Sequence, residues 1–367
     1  MRTSTNLNVL FFGLVLSATL PAQILHYKFE EGGGDRVINY ASGSGIAPSE
    51  GSIVSTNAIP FAAGQFGRGS LAGADSSTTH NYVDSGWTGP LNGSWSIAWF
   101  MKERTPLPNT LAYYFFSGMG SFRAFTSGAA GTGIRLGGFG GSDVTLSTDV
   151  RTPAATRWVH VACVVDAAAQ TGTWYVDGVQ QSSTATTGAN LPVNATSFRV
   201  GMHTRLTTGS YWDIDEFRLV DHAATAAEVM AWATVDVAAE SAFGAGCGAN
   251  LDALGAAPAL GSPLYTWDIG GTPNAPFSLA IGFSRTMMGA APLPFDLGMI
   301  IPSLAGCRWE SSADVFVGSS IGGTGTGQVS LPIPNAPSLV GVVVYSQAIV
   351  LGSPIQVSNP HASSVGH

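Results

Sequence analysis

The first half of this chain is written in short apolar segments that alternate at period two and stop at glycine, serine or threonine, a pattern that a strand satisfies and a helix cannot. Leu25, Tyr27 and Phe29 alternate with His26, Lys28 and Glu30, and Trp95, Ile97, Trp99 and Met101 alternate with Ser94, Ser96, Ala98 and Phe100. Thr173–Val176 and Val179–Gln181 flank Asp177-Gly178, a dipeptide that tolerates the positive φ angles of a two-residue hairpin turn. Further strands are predicted near Tyr82-Val83, Ile134–Leu136, Phe198–Val200 and Tyr211–Leu219. Composition closes the other routes. Only 10% of the 367 residues are charged, against a usual ~25%, so long exposed helices laced with Glu and Lys are excluded. The 45% hydrophobic share excludes disorder, and the 47 glycines have no collagen-like period. An all-β antiparallel sandwich is left, and the length suits two domains.

Arg2, the apolar run Val9–Leu16 and the small residues up to Ala22 read as a secretory signal at 1–22, cut near Ala22. A buried strand is the competing reading. The protein is therefore expected to be secreted or displayed at the cell surface, with no membrane span in the mature chain. A net charge of -8 and 15 scattered basic residues argue against a nucleic-acid groove. Export permits disulfides, and there are three cysteines. Alternation sets Cys163 on one face with Val159, Val161 and Val165, as a buried free thiol. Cys247 and Cys307 are left to pair, closing a loop worth roughly 4 kcal/mol in the chain-entropy model. No CxxC or paired-histidine spacing suggests zinc.

One helix is predicted. Thr225-Ala226-Ala227-Glu228 forms a capping box, in which the hydroxyl and the carboxylate each satisfy an orphan N–H, ahead of Val229 and Trp232. It closes a first domain at 23–238. After the Ala/Gly-rich stretch from Val235 to Gly248, a smaller β domain is expected at 243–357, with a flexible tail at 358–367.

The first domain resembles the concanavalin A-like, laminin-G-like jelly-roll family through an ordered series of blocks spanning roughly residues 24 to 235. These are Leu25–Gly32, Gly64–Leu71 with Tyr82-Val83, Trp158–Ala162 with Asp166 and Trp174–Gly178, and Val200-Gly201 with Ile214–Leu219. The second half is similar to a C-terminal domain of secreted planctomycete proteins, through Phe243–Gly248, Leu293–Gly298, Gly306-Cys307 and Ser330–Asn335; that resemblance implies no activity.

The jelly-roll resemblance implies a structural Ca²⁺ near Asp215, with oxygens from the loop after the first strand, here Asn39 and Gly43. Asn39 stands where the family more often has Asp, which removes one charge from a site wanting 6–8 oxygens. Hydrolases of the same fold carry E-x-D-x-E or E-x-D-x-x-E on one strand. This chain has Asp213-Ile214-Asp215-Glu216-Phe217-Arg218, so the paired acids that retaining hydrolysis needs are absent where they ought to lie. Alternation puts Asp213 and Asp215 on one face and Glu216 on the other. Trp87, Tyr211, Trp212 and Asp213 lie near loops or an edge and are the ligand-facing candidates, whereas Trp95, Trp99, Trp158 and Trp174 read as core. The expectation is a non-catalytic binding or adhesion protein whose partner is a carbohydrate or an extracellular surface protein. The alternatives are a glycan hydrolase of the same fold and a structural matrix protein.

Overall fold

The computed structural model describes residues 23–41, 45–56, 60–74, 79–104, 113–118, 122–126, 133–138, 143–186, 191, 197–203, 210–255 and 257–367. The proposed signal at 1–22 lies outside them.

The first domain is a sandwich of two antiparallel eight-stranded sheets. In the first sheet the order runs Val179–Ala185, Thr171–Val176, Val159–Asp166, Trp95–Glu103, Trp212–Val220. The far edge of Trp212–Val220 is shared: Ile214 pairs with Leu71, while residues 217–220 pair with the strand Gln23–Tyr27. The second sheet runs Val144–Leu146, Ile134–Gly137, Arg123–Thr126, Tyr113–Ser117, Arg199–Val200, Asn81–Asp84, Glu50–Ser55, Arg36–Ile38.

Alternation explains the core between them. Trp95, Trp99, Trp174 and Trp212 are fully buried with Phe115, Phe116 and Phe198, and Trp99 meets Phe116 and Trp174 edge to face at 5.7 and 6.4 Å. The hairpin at Asp177-Gly178 has φ of 49° and 77° at its two turn residues, as the dipeptide predicts. The helix Ala226–Thr234 starts on the predicted capping box and covers the outer face of the first sheet with Val229 and Trp232 against Ala98, Ala162, Val164 and Tyr175. Cys163 is buried and free.

The second domain sets a six-stranded sheet over a three-stranded one, with Leu251, Trp267, Ile269, Phe277, Leu279 and Val350 between them. A disulfide joins Cys247 to Cys307. The expected boundaries need correcting at both ends. Ala239–Ala242 is already a strand of this domain, and the tail expected to be flexible contributes His361–Ser364, inserted between Ala239–Ala242 and Val343–Val350. Its small residues pack in the middle of the sheet, and the Ser363 hydroxyl is hydrogen-bonded to Tyr265 Oη at 2.8 Å. Small polar side chains carry no apolar period, so the sequence pattern left this strand unseen.

The domains are closely joined. Ile38 and Tyr40 pack with Phe243, Val343, Tyr345 and Ala362, the Ser241 hydroxyl donates to the Asn39 carbonyl at 3.0 Å, and Arg285 pairs with Glu50. Gly341 has φ of 76°, and a Cβ there would lie 2.1 Å from Gly67 Cα, so only glycine permits this backbone approach.

Candidate functional site

The strand Trp212–Val220 carries the acids singled out in the sequence, and its register shifts between Asp215 and Arg218. Glu216 sits there with φ of 48°, so one extra residue is accommodated and the faces are reset. Ile214, Phe217 and Leu219 point into the core, and Asp215 and Glu216 therefore both lie on the outer side, correcting the alternation that divides them.

The oxygens implied for calcium are engaged by N–H donors. Asp215 accepts from Gln65 N at 2.7 Å, Phe66 N at 3.2 Å and Glu216 N at 2.8 Å. Asn39 Oδ1 accepts from His26 N at 2.8 Å and Ala41 N at 3.1 Å, and its amide donates to Ile24 O and Pro48 O. Burial, and then the neighbouring Glu216, push the Asp215 carboxyl well above its usual range. Gly43 lies outside the described residues. Among the described residues no three His, Cys, Asp or Glu side chains group to hold a metal. Among the described residues, Asp215 and Asn39 satisfy the backbone at the sheet edge.

The aromatic candidates also move. Trp87 is 3% exposed and packs against Phe198, Tyr211 is 5% exposed against Tyr113, and Trp212 is fully buried, stacked on Phe115. All three are core rings, because residues next to loops are still covered when two sheets close. Asp213 is buried, accepts from Gly73 N at 2.7 Å and lies 3.6 Å from Arg104 Nη1. All four are buried among the described residues.

What this outer side builds instead is an ion network. Glu216 accepts from Arg218 at 2.7 Å, lies 2.9 Å from His26 Nε2 and 3.6 Å from Lys28 Nζ, and Lys28 pairs with Asp236 and donates to Val237 O at 2.8 Å. Burial pushes Glu216 up, but Lys28, His26 and Arg218 outweigh it and hold the carboxyl well below the usual range. His26 is pushed down to about 4 by burial and by Arg218, so it is neutral at pH 7.

Glu30, nearby, behaves oppositely: burial and then Asp215 push it up to about 10 from 4.5. The folded state then holds a proton that the unfolded chain has lost, so Glu30 costs stability increasingly as pH rises from about 4.5 to 10. Glu30→Gln keeps the shape and removes the titration. The difference in unfolding free energy, variant minus wild type, is expected to grow by up to ~1.4 kcal/mol per pH unit between pH 6 and 9. Paired urea titrations give that difference directly; the buried histidines, whose slope has the other sign, cancel in it. A difference independent of pH would contradict the assignment.

A chemically richer surface lies on the outer face of the second sheet. Register aligns Arg36, Ser52, Asp84, Arg199, Ser117 and Arg123 in one row across five strand pairings. On the same face Val54 stands opposite Tyr82, and Tyr114, Phe125 and Arg135 stand in line with one another. Arg199 lies over the Tyr82 ring at 4.8 Å and Arg123 over Phe125 at 5.3 Å, while Tyr114 touches both Phe125 and His203. Arg123, Phe125, Arg135 and Arg199 remain partly or fully exposed. Sequence reading missed this surface, although Arg123-Ala124-Phe125-Thr126 shows the alternation; the rows form only once eight strands are in register.

The architecture is thus a two-sheet jelly roll with an arginine-aromatic face, joined to a β-sandwich. Residues 73–230 match the family model of laminin-G-like domains described as the concanavalin A-like lectin/glucanases superfamily. No curated protein matches the sequence. Among solved structures, domain 4 of AbnA, a GH43 extracellular arabinanase from Geobacillus stearothermophilus in complex with arabinotriose, is similar at 19% identity and a TM-score of 0.44, over 58% of this chain and 99% of that one. The binding domain of Botulinum neurotoxin DC in complex with rat synaptotagmin II is similar at 10% identity and 0.41, over 73% and 76%. The Ruminococcus gnavus IT-sialidase CBM40 bound to α2,3-sialyllactose is similar at 14% and 0.30, over 38% and 81%.

Proposed function

We propose that this is an exported carbohydrate-binding protein that holds saccharide on the outer face of its second jelly-roll sheet without cleaving it. The observation that carries this is the pair of arginine-over-aromatic units, Arg199 on Tyr82 and Arg123 on Phe125. The partly exposed Phe125 ring offers apolar surface to the C–H faces of sugars, Tyr82 is buried beneath Arg199, and a guanidinium held on a ring presents its donors to hydroxyl oxygens in a fixed fork. The binding reading is favoured over hydrolysis because Asp213, Asp215 and Glu216 are all occupied by backbone donors or buried cations. Export agrees with a disulfide between Cys247 and Cys307. No helix of the described residues is long and apolar enough to cross a membrane.

Glycan-array screening followed by calorimetry tests this reading. Wild-type protein is expected to bind, Arg199→Ala and Arg123→Ala are each expected to weaken binding about tenfold, roughly 1.4 kcal/mol, and reducing-sugar assays are expected to show no release. Binding unaffected by both substitutions, or sugar release, would overturn it.

A further inference from the structure

A cavity of about 610 Å³ opens where the two domains meet, within the size range of small-ligand sites. Asp35, Arg36 and Glu50 line it from the jelly roll; Gly244–Cys247, Arg285, Arg308 and Glu310 line it from the second domain. No aromatic or large aliphatic side chain is among its walls, so its occupant must be hydrophilic.

The charges on the wall divide into a scaffold and a free set. Arg285 pairs with Glu50 and lies 4.5 Å from the Phe243 ring centroid, which fixes both across the domain junction. Arg36 and Arg308 are exposed to the cavity and, among the described residues, have no carboxylate within ion-pairing distance. Two unpaired guanidiniums facing one space form a recognition element for an anion such as a carboxylate. Glu310 also lines the wall, with its backbone N–H anchored to Gln347 Oε1 at 2.8 Å, and among the described residues its side-chain oxygens accept no hydrogen bond. Gly244, with φ of 60°, makes room for that carboxyl: a Cβ there would lie 2.8 Å from Glu310 Oε1. Burial, and then Glu50, push the Glu310 carboxyl above the usual range against the pull of Arg285, Arg308 and Arg36.

We infer that this interdomain cavity is a second ligand site that takes a carboxylate-bearing saccharide, with the carboxylate on Arg36 and Arg308 and the hydroxyls on Glu310 and Asp35. It is independent of the sheet face. Arg36 and Arg199 share a row but stand three strands apart, about 14 Å. Neither domain alone supplies the site, since Arg36 and Arg308 come from different ones.

Digalacturonate and neutral galactobiose, titrated calorimetrically into the full mature chain, test the inference. Digalacturonate is expected to bind and galactobiose to bind at least tenfold more weakly. Arg36→Ala/Arg308→Ala is expected to lose at least tenfold in digalacturonate affinity, with Arg199→Ala within twofold of wild type. Both replaced arginines are exposed, and an unchanged melting temperature confirms that the fold survives; a variant that fails to fold is replaced by Arg36→Gln/Arg308→Gln under the same criterion. No binding of digalacturonate, equal binding of galactobiose, retained affinity in the double variant, or loss in Arg199→Ala would each overturn it. Loss confined to Arg199→Ala would overturn this site while leaving the sheet-face reading intact.

Discussion

Lys28→Met is expected to lower the unfolding free energy by about 3–5 kcal/mol, the cost typical of removing one partner from a buried ion pair. Lys28 is fully buried, and its ammonium faces both Asp236 and Glu216. Methionine fills most of the volume but leaves two carboxylates in a site with little water. Glu216 keeps His26 and Arg218, whereas Asp236 has no other ion pair among the described residues. The greater part of the loss should therefore come from Asp236. Lys28→Met/Asp236→Leu should accordingly be less damaging than Lys28→Met alone, a non-additivity that urea unfolding of the two variants measures. Equal midpoints for wild type and Lys28→Met would show that the network contributes nothing. Because Asp236 and Val237 follow the helix Ala226–Thr234, the same contacts fix where the chain leaves the jelly roll.

Cys247→Ser/Cys307→Ser is expected to cost about 4 kcal/mol, the chain-entropy value for closing a loop across a separation of 60 residues. The region it pins has little regular structure of its own. Between Arg285 and Trp309 there are only two-residue ladders, Met287–Met288 with Ala291–Pro292 and Phe295–Asp296 with Arg308–Trp309, and two short 3-10 turns. Cys307 packs beside Leu297, Leu304, Trp309 and Val357, and the Cys247 backbone bonds to Val357 in both directions. Guanidinium unfolding should show the lowered midpoint, and hydrogen exchange should show the protection loss concentrated in 285–309. An unmoved midpoint would mean that the packing around Leu304 and Trp309 suffices.

The strands with strong alternation, the Asp177-Gly178 hairpin, the capping box and the Cys247–Cys307 pair were legible because each is a local pattern with a local cause. The disposition of Glu216 was not, since a bulge adds one residue and a period-two reading cannot detect it. Nor could alternation tell a core ring from a rim ring, which is why Trp87, Tyr211 and Trp212 pointed the wrong way; closure of the second sheet decides that question. The arginine rows and the interdomain cavity depend on residues brought together from distant strands or from both domains, so only tertiary structure assembles them.

The placement of His361–Ser364 between two earlier strands has a consequence for biosynthesis. Residues 23–220 suffice to shut the jelly roll, but Ala239–Ala242 must wait for its neighbour through roughly 120 further residues of translation, several seconds at the rates typical of ribosomes. Throughout that interval Ile38 and Tyr40 lack their cover, and the open sheet offers unpaired edges to other nascent chains. The export proposed above would gain from this delay, because a polypeptide that cannot finish folding is still one that can be threaded.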